Sequence, residues 1–246
     1  MSTVLVYDMI VQERLYLADF LAGLSAEQMR AQTLCDAWTV RDVAAHLGSY
    51  LRFGQAKIYA GVTVGAGDFG PANEWLARRD ARHSDAEIID RLRRGAGSRT
   101  TAPRSGYDPV LTDIVLHDLD IRVPLGLPRR IPEDRLLVTF HYLTHDAGPP
   151  FAMGSRLEGL HLQAVDTGWR AGAGAPVRGS AVDLILAAGG RRESLDRLAG
   201  EGAALLRERV LIGGVPPVGR RMADVVRLLV KGTDRSAKDL GPPEVT

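Results

Sequence analysis

The chain has 246 residues, enough for one large domain or two modest ones. Its 45% hydrophobic and 25% charged content allows a real core, and 31 basic residues nearly cancel 30 acidic ones with no basic run standing out, so nucleic-acid binding is not expected. No stretch approaches the roughly 20 apolar residues of a membrane span. The N-terminal MSTVLVYDMIVQERL carries Asp8 and Glu13 where a secretory leader has basic and then apolar residues. A single cysteine, Cys35, excludes an internal disulfide, so the expected location is the cytoplasm.

Residues 6–23 place Ile10, Leu15, Leu17, Phe20 and Leu21 at helical spacing. Ser25 and Gln28 form a capping-box pattern for a short helix. In TLCDAWTVRDVAAHLGSYLRFGQAKIYAG a turn leads into a helix capped by Thr39 and Asp42 and predicted to run to about Gly61. PANEWLARRDAR and, after Ser84, DAEIIDRLRR predict two more helical pieces, and residues 95–109 read as a loop. Asp108–Pro109 starts the next helix, because proline suits a first turn, and Pro132 opens PEDRLLVTFHYLTHD in the same way.

The texture changes after the Pro/Gly-rich AGPPFAMG (147–154). LEGLHLQAVDTGWRAGAG has the alternation and turn glycines of a hairpin. RGSAVDLILAAGG reads as a buried helix, and RRESLDRLAGEGAALLRER as a short helix and its continuation. The fold class is therefore α+β, in three parts: a helical domain over 1–150, a small α+β domain over 151–212, and residues 213–246. That last part holds the amphipathic helix VGRRMADVVRLLVKG and a loose tail.

LTDIVLHDLDIR (111–122) puts three aspartates and a histidine into an otherwise apolar helix, where an unpaired ionisable group is costly. Asp113 and His117 stand four apart and share a face, either as a hydrogen-bonded pair or as two metal ligands. In WTVRDVAAHLGSY, His46 borders the apolar face of Val40, Val43, Ala44 and Leu47. His46, Asp113 and His117 would together supply two imidazoles and a carboxylate from two helices, as bundle metal sites do. Three protein ligands leave an open position, the mark of a catalytic zinc site. Asp120 is expected behind them as an orienting group, or as a partner of Arg41 or Arg122. His141 and His145 form a rival pair without an evident third ligand and read as surface or interface histidines. His83 and His161 fall in loop and strand patterns, and Cys35 reads as a small buried apolar residue.

These residues also resemble a known family. LAGLSAEQMRAQTLCDAWTVRDVAAHL is similar to the N-terminal signature of the mycothiol-dependent maleylpyruvate isomerase family, whose helical domain is DinB-like. PVLTDIVLHDLDIRVPLGLP resembles its second metal motif, and LHLQAVDTGWRAGAGAPVRGSAVDLILAAGGR its sterol-carrier-like C-terminal domain. The resemblance covers roughly residues 8–209. It implies a four-helix bundle holding a divalent metal, usually zinc, through His46, Asp113 and His117. Many members have Glu where this chain has Asp113, which is one methylene shorter.

The chemistry that the resemblance implies is that of a low-molecular-weight thiol such as mycothiol, deprotonated at the metal and added to an electrophilic carbon by an isomerase or S-transferase. The expected partners are that thiol and a small electrophile, with the chain as monomer or homodimer. Arg41 and Arg122 are candidate anchors for an anionic substrate or, alternatively, salt-bridge partners of Asp42, Asp118 or Asp120, and Trp169 is a candidate lid or a core or interface residue. A metal-dependent hydrolase that activates water, or a non-catalytic small-molecule binding protein, are the alternatives.

Overall fold

The structure, a computed structural model, describes residues 3–35, 38–49, 51, 80–101, 106–144 and 157–213. The expected helix end near Gly61, the piece at 71–79, His145, the boundary near 150 and the C-terminal helix and tail lie outside the described residues.

In chain order the helices are α1 (Thr3–Ala22), α2 (Ala26–Met29), α3 (helical at 40–49 and 51), α4 (Asp85–Arg94), α5 (Asp108–Leu125) and α6 (Glu133–Thr144). Strands β1 (Leu160–Ala164), β2 (Arg170–Gly172) and β3 (Ala175–Gly179) follow, then α7 (Ala181–Ala188), a 3-10 turn at Leu195–Arg197 and α8 (Ala203–Gly213). Reciprocal capping boxes start α2 (Ser25 with Gln28) and α4 (Ser84 with Glu87). At α3, the Thr39 N–H donates to Asp42 Oδ2 at 2.9 Å and the Asp42 N–H to Thr39 Oγ1 at 3.3 Å. Pro109 sits in the first turn of α5, which stops at Gly126 with φ 64°, a left-handed cap that glycine adopts without a Cβ clash.

Helix α1 packs on α4 and α5, α5 on α6, and α6 on α7. Helix α3 lies beside α4, with Gly48 against Arg91, and faces α5 through His46 and His117. Consequently α5 is enclosed on every side: from Leu111 to Arg122 each residue is buried except Asp113. No helix among the described residues is long and apolar enough to cross a membrane.

The sheet has the order β2-β1-β3. The expected hairpin is present as antiparallel β1 and β2, with Leu162 opposite Ala171. Strand β3 adds on the other side in parallel, with Leu162 opposite Val177, a partner that alternation in sequence does not encode. Helix α7 is buried as expected. The helical continuation expected after it is broken. Ala199 pairs with Arg178 at the edge of β3, and Gly200 turns at φ 105° where a Cβ would meet the Pro176 carbonyl oxygen at 2.3 Å. One apolar cluster runs from Val6 to Val210, so the α+β part and the helices share a core.

Candidate metal centre

Two helices bring the donor atoms together. His46 Nε2 on α3 lies 3.8 Å from Asp113 Oδ2, and His117 Nε2 on α5 lies 3.5 Å from Asp113 Oδ1. One ligand atom from each of the three residues falls within 4.8 Å of the others. The imidazoles meet edge to face with centroids 5.0 Å apart. Both histidine side chains are nearly enclosed, whereas the Asp113 side chain keeps 32% of its surface exposed. The single opening in the buried stretch of α5 is therefore at the carboxylate between the two rings.

Behind this trio lies a second layer of contacts. His117 Nδ1 is 2.9 Å from Asp120 Oδ2, and Asp120 is fully buried. Arg191, in the turn after α7, grips Asp120 with both arms: Nε to Oδ1 at 2.8 Å and Nη2 to Oδ2 at 2.6 Å. Burial pushes the Asp120 carboxyl up, but the Arg191 guanidinium and the His117 hydrogen bond outweigh it and hold Asp120 far below the ordinary carboxylate range. Arg191 is raised in turn by Asp120, against the effect of its own burial. An ionised carboxylate only accepts, so His117 Nδ1 carries a proton and the ring turns Nε2 toward Asp113.

The ligand trio shows the same competition. Burial lowers the His46 pKa and is only partly offset by Asp113, so its imidazole is neutral at neutral pH. Burial raises Asp113, but the contact with His46 and the charges of His117, His46 and Arg191 bring it below its usual value. His117 is lowered by burial and raised further by Asp120, Cys35 and Asp113, to about 10.

The structure does not bring the other candidates to this point. The Arg41 guanidinium donates from Nε to the Ala81 carbonyl at 3.0 Å and also to the His83 carbonyl, and pairs with Asp85 at 3.0 Å. Arg122 donates to Asp118 at 2.7 Å and lies 3.5 Å over the Phe20 ring. Both guanidiniums are thus engaged by carbonyls and carboxylates of the protein. Trp169 packs against the core beside Phe140 of α6, with ring centroids 6.0 Å apart and the planes tilted by 40°. His141 is exposed on α6, His83 lies 3.9 Å from Glu87, and His161 contacts Gln163.

Sequence reasoning missed three neighbours. Trp38 stands 4.7 Å from the His46 ring and 6.0 Å from that of His117. The CDAW turn before α3 was the signal that could have found it. Cys35 is not an inert filler: its Sγ lies 3.1 Å from Asp120 Oδ2. Arg191 is 71 residues from Asp120 in sequence, and no spacing rule connects them.

Comparison with known proteins agrees with this architecture. Residues 11–122 match the family model described as the mycothiol maleylpyruvate isomerase N-terminal domain. A crystal structure of the mycothiol-dependent maleylpyruvate isomerase is similar at TM-score 0.54, and one of a histidine-to-alanine variant at 0.56. Each is 12% identical, over 82% of this chain and 94% of the other. At that identity the likeness establishes a shared α+β fold. None of the curated proteins compared with the chain matches it.

Proposed function

We propose that the protein is a divalent-metal-dependent enzyme of the isomerase or S-transferase type, with a low-molecular-weight thiol of the mycothiol kind as nucleophile and a small electrophile as substrate. His46, Asp113 and His117 hold the metal. The observation that carries the reading is the convergence of those donors from α3 and α5 on the one opening of a buried helix. Tetrahedral zinc with bonds of about 2.1 Å sets its ligands about 3.4 Å apart. The imidazoles approach different oxygens of Asp113, at 3.8 Å from Oδ2 and 3.5 Å from Oδ1, and one ligand atom from each residue lies within 4.8 Å of the others, so a small adjustment of the side chains would bring the three to that spacing. Two nitrogens and one oxygen suit zinc among the common divalent ions. When bound, such a cation stabilises thiolate over thiol in the fourth position.

The chain's own groups do the rest. Asp120 and Arg191 lock the His117 ring so that Nε2 faces Asp113. Trp38 covers both rings and excludes water from that side. The single cysteine is engaged with Asp120, so the reacting thiol comes from outside the protein. In the isomerase form of the reaction the thiol gives its proton to solvent and its sulfur bonds to one carbon of a C=C conjugated to a carbonyl, the π pair moving onto the carbonyl oxygen as an enolate. The adduct rotates about the resulting single bond, the enolate pair re-forms the C=C as the C–S bond breaks, and the departing thiolate takes a proton back from solvent.

Arg14 on α1 takes the role expected of Arg41 and Arg122. It is buried, donates from Nη1 to the Ala96 and Ser98 carbonyls at 3.0 and 2.9 Å, and lies within electrostatic reach of Asp113. Its remaining N–H groups have no acceptor among the described residues and are available to a substrate carboxylate, as in maleylpyruvate. A reducing cytoplasm suits both a thiol cosubstrate and an unpaired cysteine.

The test is metal content of protein purified without added metal, for wild type, His46→Ala and His117→Ala, followed by turnover of unsaturated carboxylates with and without thiol. About one zinc per chain, lost in both variants with helical circular dichroism retained, and turnover only with thiol, is the expected result. Turnover without thiol would convert the reading to a hydrolase, and a wild type that takes up no metal would remove it.

A further inference from the structure

We propose that Cys35 is a positioning residue for His117: its thiol is a donor on Asp120 Oδ2 that, with Arg191, keeps this carboxylate oxygen aimed at the imidazole. His117 Nδ1, Arg191 Nη2 and Cys35 Sγ converge on that one oxygen at 2.9, 2.6 and 3.1 Å. Cys35 Sγ is also 3.9 Å from His117 Nδ1 and 3.8 Å from Arg191 Nη2, so it closes the gap between the two stronger donors. A thiol is a weak donor with a large, weakly hydrated sulfur. In that place it occupies the approach by which water would compete for Oδ2.

The backbone around Cys35 is built to hold it there. The Gln32 side-chain amide donates to the carbonyls of Cys35 at 2.8 Å and Trp38 at 2.9 Å. Thr33 Oγ1 donates to the Trp38 carbonyl at 2.7 Å and accepts from the Cys35 N–H at 3.2 Å. The Leu34 N–H donates to the Asp120 carbonyl at 3.1 Å, which docks the loop onto α5 one residue before Cys35. A cysteine that only filled space would need none of this registration. Trp38, three residues on in sequence, stands against the imidazoles, so neighbouring residues serve both layers of the site.

The inference shares the assignment of His117 as a metal ligand with the proposed function, and two readouts separate the two ideas. The first is the Nδ1–H proton resonance of His117 in the metal-free protein by 15N-edited NMR. The second is zinc affinity by chelator competition, using zinc alone. Cys35→Ala should shift and broaden the Nδ1–H resonance and weaken zinc binding by about tenfold, at the lower end of what outer contacts to a metal-bound histidine contribute. Cys35→Ser keeps a donor and should restore both to within about threefold.

An alanine variant with an unchanged resonance and unchanged zinc affinity overturns the proposal. Equal loss in both variants also overturns it, because bulk and not the donor would then be at work. Should Cys35→Ala fail to fold, Cys35→Ser decides alone: a retained Nδ1–H resonance supports the role and a lost one removes it. If the wild type binds no zinc, the metal reading fails while the resonance still decides the role of Cys35.

Discussion

Helix α5 carries two buried ionic clusters on different faces, and they are built differently. On one face Asp118 accepts from Arg122 Nε at 2.7 Å and faces Arg129 Nε at 3.3 Å, while Arg129 and Arg135 pair with the buried Glu13 of α1. The arginines are also stacked, Arg122 over Phe20 at 3.5 Å and Arg129 over Tyr16 at 4.1 Å. On the other face, His46, Asp113 and His117 converge with no guanidinium between them, and solvent reaches the carboxylate. Burial raises Asp118 in spite of Arg129 and Arg122, whereas Asp113 is drawn down by its imidazole neighbours. Buried charge alone is therefore a poor marker of a site. Ligand-type groups that converge on an accessible point, with no guanidinium between them, are the discriminating feature.

Paired substitutions test this contrast most strongly. Asp118→Ala and Asp120→Ala each leave a buried guanidinium without its carboxylate, so each should lower unfolding stability by about 3–5 kcal/mol in urea titrations. Their metal contents should diverge under native conditions, with about one zinc per chain kept in Asp118→Ala and most of it lost in Asp120→Ala. Parallel loss in both would erase the distinction between the faces.

A proton-linkage measurement sharpens it further. His117 is raised from its ordinary value near 6.5 to about 10 in the metal-free protein. Its protonated form therefore stabilises the metal-free fold fully below pH 6.5, and this contribution is lost as pH rises through about 10. Zinc needs the neutral ring, so binding near neutrality should expel about one proton from His117 and none from His46, and affinity should climb about tenfold per pH unit between 7 and 9. Calorimetric titration in two buffers of different ionisation enthalpy reads the proton count. A count of zero would mean that His117 does not ligate.

The smallest effect expected is at the surface pair Arg93–Asp19, with side chains 44% and 72% exposed. Arg93→Ala should change unfolding stability by no more than about 0.5 kcal/mol and leave metal content unchanged, because solvent screens the pair.

Several parts of this molecule were legible because the relevant physics is local. Ser25, Thr39 and Ser84 mark helix starts through contacts that close within three residues. Pro109 and Gly126 bound α5 for equally local reasons. The i, i+4 spacing of Asp113 and His117 follows from helix geometry alone, and so does their common face. Other features depend on remote partners. Arg41 is held by turn carbonyls and Asp85 from a distant segment, whereas the Arg122–Asp118 pair is a local i, i+4 contact that the sequence already offered as the alternative to substrate binding. The break at Gly200 depends on the edge of β3, and the direction of β3 on which side of β1 it joins.

The sequence by itself determined the α+β class, most helix starts, and the residue types of the candidate centre, since capping, periodicity and donor chemistry need only nearby residues. Only the tertiary structure decided that His46 meets Asp113 and His117 across two helices, that Cys35 and Trp38 belong to the site, and that Arg191 reaches back from the α+β part to fix Asp120. Those are contacts between segments far apart in the chain, and packing of the shared core, not any spacing within a segment, brings them within ångströms.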